Sequence, residues 1–259
     1  MRSTMMQTPL SLNHLLDRAG RLYPSHEVVS RLPDKSIHRS TYGAIHRRAR
    51  QLAQALVGAG VQRGEAVGTL LWNHYGHLEC YFGIPAAGAV LHTLNLRLAP
   101  EDLAYIIADA DDRVVIVDDV LLPIWEKVKP LLQKLPRIIV LPFSGKPVAT
   151  GYESYEDFIA ADASAYVYPE QDENEAMGMC YTSGTTGRPK GVVYSHRSMV
   201  LHAITNCVPD CLNLSCHDIV LAVTPMFHAN SWAMPFSATM VGARQVLPGR
   251  IWVPTICSN

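Results

Sequence analysis

The sequence has few charged side chains and almost no net charge. Asp, Glu, Lys and Arg make up 17% of its 259 residues, and the formal net charge is −1. Without an excess of positive charge, the chain has no strong field that would attract nucleic acid, so we exclude nucleic acid as a partner. Because 48% of the residues are hydrophobic, we expect a substantial buried core. The low charged fraction predicts that much of the surface is covered by other structure.

The chain also lacks the segments that direct proteins into or across membranes. Residues 1–16 contain no basic region followed by a sustained apolar core, so we expect no secretory signal. The uncharged stretch at residues 80–96 is short for a bilayer and includes a proline and two glycines. It predicts a buried helix, a turn and a strand, and no transmembrane segment.

Cysteine does not form the dense, regular framework of a small secreted protein. Six cysteines are spread over the chain, which favours a reduced, cytoplasmic location. Cys207, Cys211 and Cys216 lie close in sequence to His217, but they lack the Cys-x₂-Cys spacing of common zinc sites. We therefore predict no metal site there.

Helical and strand-like patterns alternate along the chain, which is typical of an α/β domain with layered, doubly wound sheets. Residues 41–59 predict an amphipathic helix that stops at Gly60, and Pro100 followed by two carboxylates opens another helix. Ligands of such sheets bind beyond the carboxyl ends of the strands. Strands are expected at residues 65–71, 113–118, 137–141, 176–181, 192–194 and 219–223, with further helices from 119 through 134, at 197–206 and near 232–240.

The segment at residues 181–191 contains three glycines, four aliphatic hydroxyl side chains and Lys190. Glycine lets backbone N–H groups approach an anion closely, and lysine adds a positive charge. Two residues separate Gly184 from Gly187, and Gly191 follows Lys190, so the segment is not a Walker-type P-loop. It is not a Gly-x-Ser-x-Gly nucleophile elbow either, because Ser183 has no glycine two residues upstream. A flexible linker is the remaining alternative, but the apolar stretch that follows favours a nucleotide triphosphate site.

In order and spacing, this segment resembles the signature of the adenylate-forming acyl-CoA synthetase superfamily, also called AMP-binding enzymes. The resemblance extends over residues 10–249 and is closest to long- and medium-chain fatty-acid–CoA ligases. It implies the fold of the N-terminal domain of these synthetases, in incomplete form. Other segments that carry the resemblance are Thr41 with Tyr42, Asn73, and residues 86–90, 95–98 and 225–232.

The resemblance implies an ATP-dependent reaction in two steps, catalysed by an acid–thiol ligase. A fatty-acid carboxylate attacks the α-phosphorus of ATP, with Mg²⁺ and fixed dipoles neutralising charge, and CoA then displaces AMP. His228 is implied to lie beside the acyl carboxylate, and Trp232 to gate the acyl passage. Judged alone, a histidine of this kind is more often structural, and Trp232 is more often a core residue. The residues implied to contact the phosphates of ATP are Thr182, Ser183, Gly184, Thr185, Thr186, Gly187 and Lys190.

The chain stops 68 residues after Gly191, before the segments that bind adenine, ribose and metal in the superfamily. We expect a first α/β subdomain at residues 10–175, the start of a second at 176–249, and a divergent tail at 250–259. Because orientation of the reactants supplies much of catalysis, we expect little activity from this chain alone. One alternative is a non-catalytic nucleotide-binding or regulatory fragment that pairs with a full-length homologue. Another is a truncated product without function, and the sequence leaves formation of a homo-oligomer open.

Overall fold

A computed structural model describes residue 1, residues 3–182 and residues 188–250 of the chain. This part folds into two sheets with helices packed around them, in agreement with the predicted α/β class. The strands are β1 (Glu27–Arg31), β2 (Ile37–Thr41), β3 (Ala66–Leu70), β4 (Val90–Thr93), β5 (Val114–Asp118), β6 (Arg137–Leu141), β7 (Glu153–Ser154), β8 (Ala176–Thr182), β9 (Lys190–Ser195), β10 (Ile219–Leu221) and β11 (Arg244–Leu247). The helices are α1 (Leu12–Leu22), α2 (Tyr42–Gly58), α3 (Tyr75–Ala86), α4 (Pro100–Asp109), α5 (Leu122–Val128), α6 (Tyr155–Phe158), α7 (His196–Cys207) and α8 (Met234–Val241).

The larger sheet has seven strands in the order β7-β6-β5-β3-β4-β8-β9. All neighbouring strands in it are parallel except β8 and β9, which form an antiparallel pair. The carboxyl ends of β3, β4, β5, β6 and β8 therefore meet along one edge, which we call the carboxyl edge. Ligands of parallel sheets bind at such an edge.

The smaller sheet joins strands from both ends of the chain. Its order is β10-β11-β1-β2, with β1 parallel to β11 and antiparallel to β2. Each sheet thus contains strands from both sides of residue 175. The subdomain boundary at that residue stays a prediction.

Local sequence explains most of the predicted elements, which the structure confirms. Helix α2 begins where the Thr41 hydroxyl accepts a hydrogen bond from the Ala44 amide, and it is followed by Gly60 at a φ of +85°. Strands β3 and β5 are buried at every position, as expected for parallel strands with both faces covered.

Two predicted helices have different bounds in the structure. The helix expected to run through Lys134 ends earlier, because α5 passes at Val128 into a short 3₁₀ helix containing Pro130, which has no N–H to donate. The helix expected near residues 232–240 begins only at Met234. Helices α1 and α6 and strands β1, β2, β7 and β11 were not predicted.

Helices α2 and α3 pack closely, and a buried ion pair lies between them. The Arg48 guanidinium donates to the buried Glu79 carboxylate at 2.6 Å, and the Tyr155 hydroxyl donates to its second oxygen at 2.9 Å. Arg48 also forms a two-point contact with Glu156. Burial raises the pKa of Glu79 above its ordinary value.

None of the helices in the described ranges is long and apolar enough to cross a bilayer.

Candidate nucleotide and acyl site

The β8–β9 hairpin places the two ends of the glycine-rich segment opposite each other. Thr182, the last residue of β8, pairs in register with Lys190, the first residue of β9. Thr182 is at the carboxyl edge, and both side chains are exposed. The predicted phosphate contacts Ser183, Gly184, Thr185, Thr186 and Gly187 lie outside the described residues. The hairpin therefore fixes where this segment leaves and re-enters the sheet.

Side chains of neighbouring elements anchor the hairpin on both faces. The Tyr181 hydroxyl donates to Asp109, at the end of α4, over 2.7 Å. Arg188 lies over the Tyr105 ring of the same helix, 4.9 Å from the ring centroid. On β8, the Cys180 thiol is buried and lies 3.3 Å from the Thr93 hydroxyl. These contacts hold the base of the hairpin against α4 and β4.

Asn73, in the loop after β3, holds the segment that leads to His228. Its side-chain amide donates to the carbonyls of Ala222 and Thr224, at 3.0 and 2.9 Å. Its side-chain oxygen accepts a hydrogen bond from the Met226 amide at 2.8 Å. Asn73 is fully buried, so all three bonds are shielded from water. The resemblance included Asn73 without a role, and the geometry makes it a clamp on residues 222–226.

After this clamp, the backbone makes a left-handed turn in place of the predicted start of a helix. Residues Ala229–Ala233 all have φ between 46° and 57°, and none of them is glycine. For residues with a Cβ, this conformation costs about 1–2 kcal/mol each. Only surrounding structure can maintain such a turn.

Three hydrogen bonds tie the left-handed turn to its surroundings. The Ser231 hydroxyl donates to the Thr224 carbonyl at 2.7 Å. The Asn206 amide of α7 donates to the Trp232 carbonyl at 3.1 Å. The Cys180 thiol donates to the Asn230 side-chain oxygen at 3.3 Å, which joins the turn to β8. The turn is therefore fixed beside the base of the hairpin.

His228 and Trp232 lie on the exposed side of this segment. The Trp232 side chain is 69% exposed, so it is not a core residue in the described structure. His228 is also exposed, and its ring makes no hydrogen bond with any residue that the structure describes. The structure thus brings the segment carrying both residues next to β8, with their side chains accessible.

Sequence reasoning missed a group of buried histidines behind the carboxyl edge. His74 accepts a hydrogen bond from the Gly76 amide on Nδ1, so its Nε2–H donates to Asp118 at 2.8 Å. The second Asp118 oxygen accepts from the Trp72 amide at 2.8 Å. Burial raises the pKa of Asp118 above its usual range.

His77 and His92 complete this group. His77 donates from Nδ1 to the Trp72 carbonyl at 3.0 Å, and its Nε2 accepts from the Thr69 hydroxyl at 3.1 Å. Because it is buried, its pKa falls to about 3. His92 contacts the buried Asp112 carboxylate at 2.9 Å. The spacing of His74 and His77, three residues apart, was the available sequence signal for this group, but it matches no known motif.

The described residues offer a cationic side chain at the hairpin and no cluster of metal-binding side chains. Across residues 1, 3–182 and 188–250, no group of three or more His, Cys, Asp or Glu side chains could hold a metal ion. Lys190 at the hairpin offers a positive charge, which suits phosphate.

Comparison with known proteins shows which family the sequence matches. The sequence matches the AMP-binding enzyme family over residues 16–256. It is 46% identical over 247 residues to a long-chain-fatty-acid–CoA ligase of Thermus thermophilus, covering 95% of this chain and 44% of that protein. It is 43% identical over 252 residues to a medium-chain-fatty-acid–CoA ligase of Ectopseudomonas oleovorans, covering 96% of this chain and 46% of that protein.

A solved structure shares the same fold. The anthranilate CoA ligase AuaEII, in complex with anthranoyl-AMP, superimposes with a TM-score of 0.82 at 28% identity, covering 95% of this chain and 46% of that one. The chain thus spans less than half the length of each of these three proteins. With a family match over nearly all its residues, this chain belongs to the AMP-binding enzymes, the adenylate-forming acyl-CoA ligase family.

Proposed function

We propose that this chain carries the phosphate-binding and acyl-binding half of an ATP-dependent fatty-acid–CoA ligase. The observation that carries the proposal is the β8–β9 hairpin, which sets Thr182 opposite Lys190 at the carboxyl edge and next to the His228 segment. Two relatives that are more than 40% identical act, by their names, on long- and medium-chain fatty acids. Their shared chemistry supports a fatty acid as the acyl substrate here.

In this proposal, residues 182–190 hold the triphosphate tail of ATP. Backbone N–H groups of the glycine-rich segment and the Lys190 ammonium neutralise phosphate charge, which stabilises the transition state of attack at the α-phosphorus. Mg²⁺ arrives with ATP and neutralises further phosphate charge. The Asn73 clamp and the left-handed turn place His228 beside the incoming carboxylate. Trp232 is then exposed where the acyl chain passes.

The length of the relatives bears on how much of the reaction this chain performs. Adenine, ribose and CoA need binding groups in addition to those of a phosphate site, and the chain spans less than half of each relative. We propose that the 259-residue chain binds MgATP but forms acyl-CoA slowly, because loss of orientation removes much of the rate. Formation of acyl-CoA from ATP, a fatty acid and CoA by the purified chain measures this directly, and turnover near that of ordinary synthetases would contradict the proposal.

The first test is equilibrium binding of MgATP to the purified chain. Replacing Lys190 with alanine removes one exposed positive charge from the hairpin, and we expect the dissociation constant to rise about tenfold, equivalent to about 1.4 kcal/mol. The matched control is Lys146→Ala, in the loop after β6, which should leave the affinity unchanged. Equal affinities for the Lys190→Ala variant and the unaltered chain would exclude a phosphate site at the hairpin.

A second candidate function is a nucleotide-binding fragment that pairs with a full-length homologue. It is favoured by the exposed apolar edge of the smaller sheet, where Ile219, Leu221 and Val223 are 59%, 57% and 58% exposed. Strand β10 is the last strand on that side of the described sheet, and an edge strand can accept another chain. Light scattering of the chain mixed with a relative tests this. A defined complex that Leu221→Lys abolishes supports pairing, and two separate species contradict it.

A further inference from the structure

A cavity lies between the two sheets, away from the β8–β9 hairpin. Its volume is about 730 Å³, which is within the range of ligand sites. Apolar side chains form much of its wall, among them Trp72, Leu121, Ile124, Phe143 and Pro248. These residues follow the carboxyl ends of β3, β5, β6 and β11, so the cavity opens where parallel strands end.

Three positive charges also line this cavity, and none of the described residues in its wall is acidic. Arg31, Lys35 and Arg250 take part in its wall. Within the part of the chain that the structure describes, none of the three is among the residues that form ion pairs. The cavity therefore combines an apolar wall with three positively charged groups.

The nearby carboxylates are already engaged by other groups. Asp34 accepts hydrogen bonds from the Ser36 amide at 2.9 Å and the Ser36 hydroxyl at 2.6 Å. Asp119 accepts from the Ser144 amide at 3.0 Å. Asp118 is fully buried against His74. None of these carboxylates lines the cavity, so among the described lining residues the charged groups are the three cations.

We propose that this cavity binds an amphiphilic anion, a molecule with an alkyl chain and a single carboxylate or phosphate group. The alkyl chain lies along the apolar wall, and the anionic group lies among Arg31, Lys35 and Arg250. This site differs from the one proposed at Trp232. Trp232 is not among the residues that line the cavity. Trp72, in the cavity wall, packs edge to face against Phe227, with ring centroids 5.8 Å apart. The inference does not depend on ligase activity.

Tryptophan fluorescence distinguishes the two sites, because each has its own tryptophan. The probe is a medium-chain alkyl carboxylate with bromine on its chain, which quenches tryptophans that it contacts. Trp252→Phe serves as the background so that the tryptophan close to Arg250 in sequence does not contribute. We expect quenching that Trp72→Phe removes in large part. Quenching that Trp232→Phe removes, and Trp72→Phe leaves unchanged, would place all binding at the acyl site and overturn the proposal.

The charge requirement is tested with a second pair of measurements. The double variant Arg31→Gln/Lys35→Gln should weaken binding of the carboxylate about tenfold or more, with Arg47→Gln, an exposed arginine of α2, as the control. An alkyl alcohol of the same length should bind the unaltered chain at least tenfold more weakly than the carboxylate. An alkyl phosphate that binds more tightly than the carboxylate would assign the anionic group as phosphate. Equal affinities for alcohol and carboxylate, or no quenching by either, would overturn the inference.

Discussion

The histidines behind the carboxyl edge differ from the histidine in front of it in burial and in hydrogen bonding. His74, His77 and His92 are fully buried, and each has a defined hydrogen-bond partner. His228 is exposed, and its ring has no partner among the described residues. The buried group stabilises the strand ends, and the exposed residue is free to meet a ligand. Sequence motifs identify the second kind of residue and miss the first.

The largest expected effect is a difference in the free energy of unfolding between a variant of the buried group and a variant of His228. Asp118→Ala leaves the Trp72 amide and the His74 Nε2–H without their buried acceptor, and we expect a loss of about 4 kcal/mol in the free energy of unfolding. His228→Ala should change it by less than about 0.5 kcal/mol, because an exposed side chain without partners contributes little. Urea unfolding of both variants measures the difference. Similar losses would mean that the comparison is wrong.

Removing the Asn73 clamp should have the next largest effect. Asn73→Ala leaves two carbonyls and one amide of residues 222–226 without partners, at a cost of about 3 kcal/mol. Amide exchange of that segment should accelerate, because the clamp holds it. The matched control is Asn95→Ala, since the Asn95 side chain accepts only the Arg97 amide in a surface loop. If residues 222–226 stay protected without Asn73, the clamp does not position them.

The buried group should also make stability depend on pH. The pKa of His77 is about 3 in the folded chain and 6.5 when unfolded, so between these values the unfolded chain binds more protons. The contribution of His77 to the free energy of unfolding is therefore nearly complete above pH 6.5 and decreases as pH falls, by about 2 kcal/mol at pH 5.

Urea unfolding at pH 7 and pH 5 tests this dependence. His77→Gln should show a smaller loss between the two pH values than the unaltered chain. Part of the loss should remain, because burial also lowers the pKa of His196, to about 4. An equal loss in both proteins would mean that His77 is protonated without penalty.

The smallest effect concerns the left-handed turn. Glycine adopts positive φ without steric cost, so Ala229→Gly should raise the free energy of unfolding by about 1 kcal/mol. The same substitution at Ala55, within the right-handed helix α2, should lower it by about 1 kcal/mol. Thermal unfolding of the two variants gives the sign of each change. Destabilisation by Ala229→Gly would show that the turn is not strained.

The sequence was most informative where local chemistry decides the structure. Continuous apolar runs predicted β5 and β6 almost to the residue, and Pro100 marked the start of α4. Strand β1 pairs locally with β2, but its other neighbour is β11, more than 200 residues away, and no local pattern encodes that second pairing. The left-handed turn was missed for a related reason. Its sequence has no glycine, and its conformation depends on contacts with Thr224, Asn206 and Cys180.

The site was only partly accessible from the sequence. Motif order led to His228, Trp232 and Lys190, and the structure shows how the elements that carry them are held together. The sequence could not reveal that Asn73 bonds to three backbone groups, because a single asparagine has no recognisable pattern. The phosphate contacts between Ser183 and Gly187 lie outside the described residues and stay a prediction.

The central claim is that residues 182–190 bind the phosphates of ATP. A crystal structure of the chain with a non-hydrolysable ATP analogue and Mg²⁺ tests it most directly. We predict that the β- and γ-phosphates lie within hydrogen-bonding distance of the Thr182 hydroxyl and the Lys190 ammonium, on the same side of the hairpin as His228. An analogue bound with its phosphates away from the hairpin would contradict the claim.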